Sequence, residues 1–96
     1  MAEIGVIMTR PEQFAVTVTE GDETTTFNVE VPPMLIGDKL GLKWVDVETV
    51  IKETFVYLLE RETTATLTKR FNLLTIVHIH PDYYEELHKR LAPLER

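Results

Sequence analysis

The sequence predicts an α+β fold in which an antiparallel β-hairpin packs on a long central helix and two or three shorter C-terminal helices. Apolar and polar residues alternate over 13–19 and again over 25–31, which is the period of a strand with one buried face. Apolar residues then recur at helical spacing over 47–61. The hairpin needs such a helix against it, because two or three strands alone are not stable in water.

The connection between these two strands predicts their antiparallel pairing. Gly21 lies in the segment that joins them and can adopt the positive φ of a tight turn. Pro32 and Pro33 end the second strand, because proline cannot donate a hydrogen bond to a ladder. Upstream, Ile4–Met8 is apolar, so residues 1–12 are predicted either as a third strand or as a flexible end.

Residues 34–45 predict a short helical turn and a loop against the core, since Gly37 and Gly41 interrupt their apolar run. Trp44 is expected to be a core residue, because large aromatic side chains dominate small cores. Asp46 is a suitable N-cap for the helix that follows. That helix is apolar over more than one stripe, as in a helix that is either central to its own fold or shared with a partner subunit.

Capping residues divide the C-terminal third into shorter helices. The Thr63–Thr64 pair can cap a helix that continues to Arg70. Asn72 can cap a second helix, and Asp82 can cap the last one. Residues 73–80 are ambiguous on their own pattern, because they are rich in β-branched residues and also suit a strand.

The segments Phe55–Glu62, Leu67–Leu73 and Ile76–Tyr83 read FVYLLERE, LTKRFNL and IVHIHPDY. In order and spacing they resemble a group of short uncharacterised bacterial proteins with the patterns FxFLLERE, ILxRFDL and IxxYFPxY. The resemblance covers most of the chain beyond residue 13, implies that residues 73–80 are helical, and brings no known activity. This chain has Asn72 where the pattern has aspartate, and Ile79-His80 where it has an aromatic pair.

The residue inventory argues against catalysis. The 96 residues suit a single domain, 1–96, and contain neither cysteine nor serine, the two commonest nucleophiles. No glycine-rich phosphate loop is present. We therefore expect no enzyme activity, no catalytic residues and no cofactor. The start of the sequence has no basic region before its apolar segment and no stretch of 18 apolar residues follows, which predicts a cytoplasmic protein without a membrane anchor.

The histidines supply the candidate metal site. His78, His80, Asp82 and His88 fall within eleven residues of the sequence. On a strand, His78 and His80 would project from one face, as metal ligands can. On a helix they lie about 200° apart. Ordinary surface or packed imidazoles are the expected outcome, so no metal is predicted, and these four residues remain the weak candidates.

Four basic residues form the candidate nucleic-acid surface. Residues 1–60 carry a net charge of −7 and residues 61–96 a net charge of +1, so only the C-terminal third escapes repulsion from phosphates. Segment 64–80 can be drawn as a helix–turn–helix, but its second helix offers no side chain for reading bases. A solvated surface is expected instead. The weak candidates are Lys69, Arg70, Lys89 and Arg90.

The inventory favours a small non-catalytic interaction or assembly module that forms a homodimer. A broadly apolar helix and a hairpin with a free edge could each meet a second copy. One alternative is a regulator that binds a metal or a small ligand through the segment 78–88 and its tyrosines. The other is a DNA-binding regulator that uses the C-terminal basic residues.

Overall fold

The computed structural model describes residues 2–94 and confirms the α+β class. Its sheet has four strands in the order β1-β2-β3-β4, with antiparallel pairing of β1 with β2 and of β2 with β3. The fourth strand pairs parallel to β3, so the sheet is mixed. The strands are β1 (Glu3–Arg10), β2 (Gln13–Glu20), β3 (Glu23–Glu30) and β4 (Arg70–Asn72).

The predicted hairpin is therefore a three-stranded meander, and the segment Ile4–Met8 belongs to β1. Gly21 adopts a φ of 61° between β2 and β3, as the turn requires. Between β1 and β2, Glu12 adopts a φ of 67°, and the pairing shifts register between Met8 and Arg10. This bulge changes the face of the sheet on which Arg10 lies.

The sheet has one covered face and one bare face. Core residues of β2 and β3 lie on the covered face, and threonines such as Thr17 and Thr26 lie opposite each other on the bare face. The covered residues are Phe14, Val16, Val18, Phe27 and Val29.

The helices are short. They are a π-helical turn (Leu35–Lys39), α1 (Val47–Leu59), a 3₁₀ turn (Leu73–Thr75), α2 (Ile76–Ile79), α3 (Tyr83–Leu91) and a final 3₁₀ turn (Ala92–Leu94). The predicted long central helix is wrong, because α1, the longest, has 13 residues. The chain turns immediately after it, where the amides of Arg61 and Glu62 both donate to the carbonyl of Leu58.

α1 packs between the sheet and α3. Toward the sheet, the ring of Phe55 lies 5.3 Å from that of Phe27 and 6.0 Å from that of Phe71. Toward α3, Tyr57 lies 5.5 Å from Tyr83, and Thr54 hydrogen-bonds the Tyr83 hydroxyl at 2.8 Å. The broad apolar surface of this helix is thus used inside its own chain.

The predicted helix from Thr63–Thr64 to Arg70 does not form. Turns occupy this segment, held by bonds from the amide of Leu67 and the hydroxyl of Thr66 to the carbonyl of Thr63. Arg70 begins β4 instead, and the amide of Asn28 donates to the carbonyl of Lys69 at 2.8 Å. Pairing with a strand that is distant in sequence overrides the local preference.

Of the other local predictions, some are confirmed and some are wrong. Residues 73–79 are helical, and Asn72 caps them by accepting from the amide of Leu74 at 2.8 Å. Asp46 lies at the N-cap of α1, but its side chain makes no capping hydrogen bond. The prediction for Trp44 is wrong, because it is 69% exposed. Leu40 and Leu42 enter the core from the same loop and occupy the interior in its place.

Candidate functional site

The structure does not bring the candidate metal ligands together. His78 is exposed, whereas His80 Nε2 lies 2.8 Å from a carboxylate oxygen of Glu62. His88 Nδ1 lies 2.6 Å from the carbonyl oxygen of Leu40. Within residues 2–94, no three histidine or acidic side chains are grouped closely enough to hold a metal ion.

Asp82 takes part in a different cluster, in which Tyr57 is central. The buried Tyr57 hydroxyl donates to Asp82 Oδ1 at 2.5 Å, and the Arg61 guanidinium lies 3.8 Å above the Tyr57 ring. Arg61 also pairs with Asp82 and with Glu60 at 3.3 Å each, and Arg90 donates to Glu60 at 2.7 Å. These five residues, which we call the Tyr57 cluster, tie the end of α1 to the start and the end of α3.

The directions of the pKa shifts in this cluster indicate a structural role. Burial, and then the hydrogen bond to Asp82, raise the pKa of the Tyr57 phenol above its usual range. The same hydrogen bond, with the charge of Arg61, lowers the pKa of Asp82. The hydrogen bond from Arg90 lowers the pKa of Glu60. Each shift fixes the group in the protonation state that it already has at neutral pH, so the cluster is not poised for proton transfer.

The candidate nucleic-acid residues are dispersed and largely engaged. Lys89 pairs with Glu85 at 3.4 Å, and Arg90 belongs to the Tyr57 cluster. Lys69 donates to the carbonyl of Thr64 and lies 5.1 Å from the Phe27 ring centroid. Arg70 lies on β4, where the first helix of a helix–turn–helix over 64–80 would have ended. These residues form no continuous basic surface.

A cavity of about 150 Å³ lies between the end of α1, the turns at 63–69, β4 and α2. Its walls are mainly apolar, with Leu58, Leu67 and Ile76 among them, and threonine hydroxyls add hydrogen-bonding groups. The paired side chains of Glu62 and His80 also line it. This volume corresponds to a single aromatic ring or a short aliphatic chain.

The outer edge of β1 is an open surface with exposed apolar side chains. The sheet begins at β1, which pairs with β2 on one side and with no other described strand. On this strand Ile7 is 67% exposed and Met8 is 64% exposed. Sequence reasoning identified Ile4–Met8 as apolar and the hairpin edge as a candidate contact. It did not show that β1 would be the edge strand, which depends on where β4 joins the sheet.

No family model, curated protein or solved structure matches this chain. The resemblance to uncharacterised bacterial proteins therefore stays a prediction. None of the helices in residues 2–94 has the length and apolar character needed to cross a bilayer.

Proposed function

We propose that this protein is a non-catalytic interaction module that assembles as a homodimer by strand addition at the outer edge of β1. The observation that carries the proposal is the eight-residue open edge of β1 with Ile7 and Met8 in solvent. A second β1 would satisfy its unpaired amides and carbonyls and remove these side chains from water.

The edge has few of the protections that keep natural sheets apart in its central part. Proteins guard exposed edges with short strands, lysine, proline or bulges. Between Glu3 and Met8 there is neither lysine nor proline, and the bulge comes only at the far end of the strand. The opposite edge is protected by its short length, since β4 has three residues, and it also carries the exposed Arg70.

The second surface that the sequence suggested, the apolar α1, does not support the dimer. Phe55 and Tyr57 on opposite sides of this helix are both fully buried within the chain. Val56 is the exposed apolar residue of α1, and one such side chain is normal for a monomer surface. The proposal therefore depends on the strand edge alone.

A pair of lysine variants tests the proposal. We expect wild-type protein to sediment as a dimer at micromolar concentration and Ile7→Lys to sediment as a monomer, because lysine on an edge opposes strand addition. Thr26→Lys is the matched control, since it adds the same charge to an exposed site on an interior strand. A wild-type protein that stays monomeric at high micromolar concentration would contradict the proposal.

A second candidate function, a small-ligand regulator, has one favourable observation. The segment around His80 borders the cavity of about 150 Å³, which combines apolar walls with an imidazole and a carboxylate. Ligand sites have this mixture of an apolar lining and a few polar groups, although most are larger. The suitable class of ligand is a small molecule of about one ring that carries a single polar group.

Native mass spectrometry of protein purified without chelators tests this second candidate. Additional mass on the wild type should disappear in His80→Ala and persist in His78→Ala, because His78 does not line the cavity. Benzyl alcohol then serves as a probe in an NMR titration, with shifts expected at the amides of Leu67 and Ile76. Bare chain mass together with no saturable shift would eliminate the ligand function.

A further inference from the structure

We infer that two copies of β1 pair antiparallel about a two-fold axis that lies midway between their two Val6 residues. This inference rests on the proposed homodimer. This register makes one continuous eight-stranded sheet from two four-stranded ones. Three properties of the strand select it: the faces of its residues, the position of Gly5, and the bulge before Arg10.

Symmetry limits the possible registers. Antiparallel neighbours in a closed dimer are related by a two-fold axis perpendicular to the sheet, which keeps both helical layers on the same side. Residues opposite each other then share a face, and faces alternate along a strand. One residue of β1 must therefore lie directly opposite its own copy, with the axis midway between the two. Near the middle of β1, the candidates are Gly5, Val6 and Ile7.

The covered face favours Val6. Ile4, Val6 and Met8 lie on this face, because they pair with Val18, Val16 and Phe14 of β2. With the axis at Val6, each Ile4 lies opposite Met8 of the second copy, and the two Val6 residues face each other. Ile4 and Val6 are half-buried and pack on the core, so this row extends the existing apolar layer across the edge.

The other two registers place unlike residues together. With the axis at Gly5, the carboxylate of Glu3 lies opposite Ile7 of the second copy. With the axis at Ile7, Ile4 lies opposite the bulged end of β1 and has no apolar neighbour there. Moving the axis by one residue shifts the pairing by two residues. Both alternatives keep some apolar pairs, such as Val6 opposite Met8 with the axis at Ile7. Only the Val6 register places Ile4, Val6 and Met8 of each copy all opposite apolar residues of the second β1.

On the bare face, the position of Gly5 also favours the Val6 register. With the axis at Val6, Ile7 lies opposite Gly5 of the second copy. Gly5 has no side chain, and a Cβ there would lie 2.8 Å from the Thr17 hydroxyl oxygen. Thr17 thus approaches Gly5 from the side of β2, and because glycine has no side chain its backbone stays open to a neighbour on the free edge of β1. Ile7 can cover that backbone and lose its exposure to water.

The two charged residues of β1, Glu3 and Arg10, also favour the Val6 register. The bulge places Arg10 opposite Gln13, on the bare face where Glu3 also lies. In the Val6 register Glu3 is opposite Thr9 and adjacent to Arg10 of the second copy, so an ion pair forms at each end of the seam. The protein as a whole carries a net charge of −6, but the segment 3–10 is neutral, with one acid and one base. Such pairs fix register more than they add affinity.

Single cysteine variants test the register, because the chain contains no cysteine. Opposite residues in an antiparallel pair have Cα atoms about 4.5–5.5 Å apart, which a disulfide can span. Under mild oxidation Val6→Cys should form a covalent dimer in high yield. Ile7→Cys is the matched control: its two cysteines would be diagonal, about 7–8 Å apart, and should link at least tenfold more slowly.

Each outcome has a separate meaning. Efficient linking of Ile7→Cys without Val6→Cys would overturn the register and leave the homodimer standing. A wild-type dimer in which neither variant links would show that another surface mediates assembly. A monomeric wild type would remove the proposed function and this inference together. If Val6→Cys folds poorly, nuclear Overhauser contacts between the methyl groups of Ile4 and Met8 in mixed labelled and unlabelled wild type give the same answer.

Discussion

Tyr57 combines a buried aromatic ring with a hydroxyl group that has a hydrogen-bond partner. Its ring lies in the core, while its hydroxyl reaches Asp82, an exposed residue at the start of α3. Asp82 occupies the N-cap position but makes no capping hydrogen bond, because its oxygens are used by Tyr57 and Arg61. A long-range partner has replaced the local one.

The lowered pKa of Asp82 predicts a loss of stability in acid. The folded-state pKa lies below the usual 3.8, so the contribution of Asp82 is present above that pH and is lost as the pH falls through the folded value. Urea unfolding of Asp82→Asn at a series of pH values should show a smaller acid-dependent decrease than the wild type. Asp22→Asn, in the exposed β2–β3 turn, should keep the wild-type slope.

Thr54 and Tyr83 form the fully buried polar pair of the core. Thr54→Val should reduce the free energy of unfolding by about 1–3 kcal/mol, because it leaves the Tyr83 hydroxyl without a partner. Tyr83→Phe should cost less, since the Thr54 hydroxyl can donate to the carbonyl one turn earlier in α1. Chemical denaturation of both variants and the double variant checks this. Equal costs for the two single variants would contradict it.

The individual residues whose roles the sequence predicted correctly are those that act on their near neighbours in the chain. Asn72 caps the residues that follow it, and capping needs only the next turn of chain. Asp82 was misjudged because its partners Tyr57 and Arg61 are 25 and 21 residues away in sequence. Trp44 was misjudged because Leu40 and Leu42 of the same loop fill the core instead. The pairing of His80 with Glu62 spans 18 residues and had no signal in the spacing.

The β2–β3 turn depends on a glycine at one position. Gly21 has a φ of 61°, where any other residue except asparagine or aspartate is strained. Gly21→Ala should therefore cost about 1–2 kcal/mol in thermal or urea unfolding. Gly37→Ala is the control, because a Cβ there meets no atom within 4 Å and its φ is not positive. A similar loss in both variants would show that the turn is not the cause.

The strands of the meander could be predicted because alternation over eight residues is a strong signal. β4 could not, since three residues carry no period and their partner β3 is in the first third of the chain. Missing β4 also produced the erroneous helix to Arg70. The helical state of residues 73–79 came from the resemblance, not from their own pattern.

For the whole molecule, dimerisation predicts a melting temperature that depends on concentration. Native copies bind each other and unfolded chains do not, so a higher concentration stabilises the fold. We expect a rise of about 3–5 °C for each tenfold increase in wild-type concentration. Ile7→Lys should melt at a temperature independent of concentration. Calorimetry over the same concentrations measures both, and a constant wild-type melting temperature would contradict the dimer.

The parallel seam between β3 and β4 has a consequence for how the chain folds. The three-stranded meander closes only short loops, so it can form early. β4 can join β3 only after α1 and the turns that follow have returned the chain to the sheet, which is a much longer closure. The seam should therefore form last and open first. It also lies beside the cavity lined by Phe71 and His80, so a transient opening there would admit solvent or a small molecule while the meander stays folded.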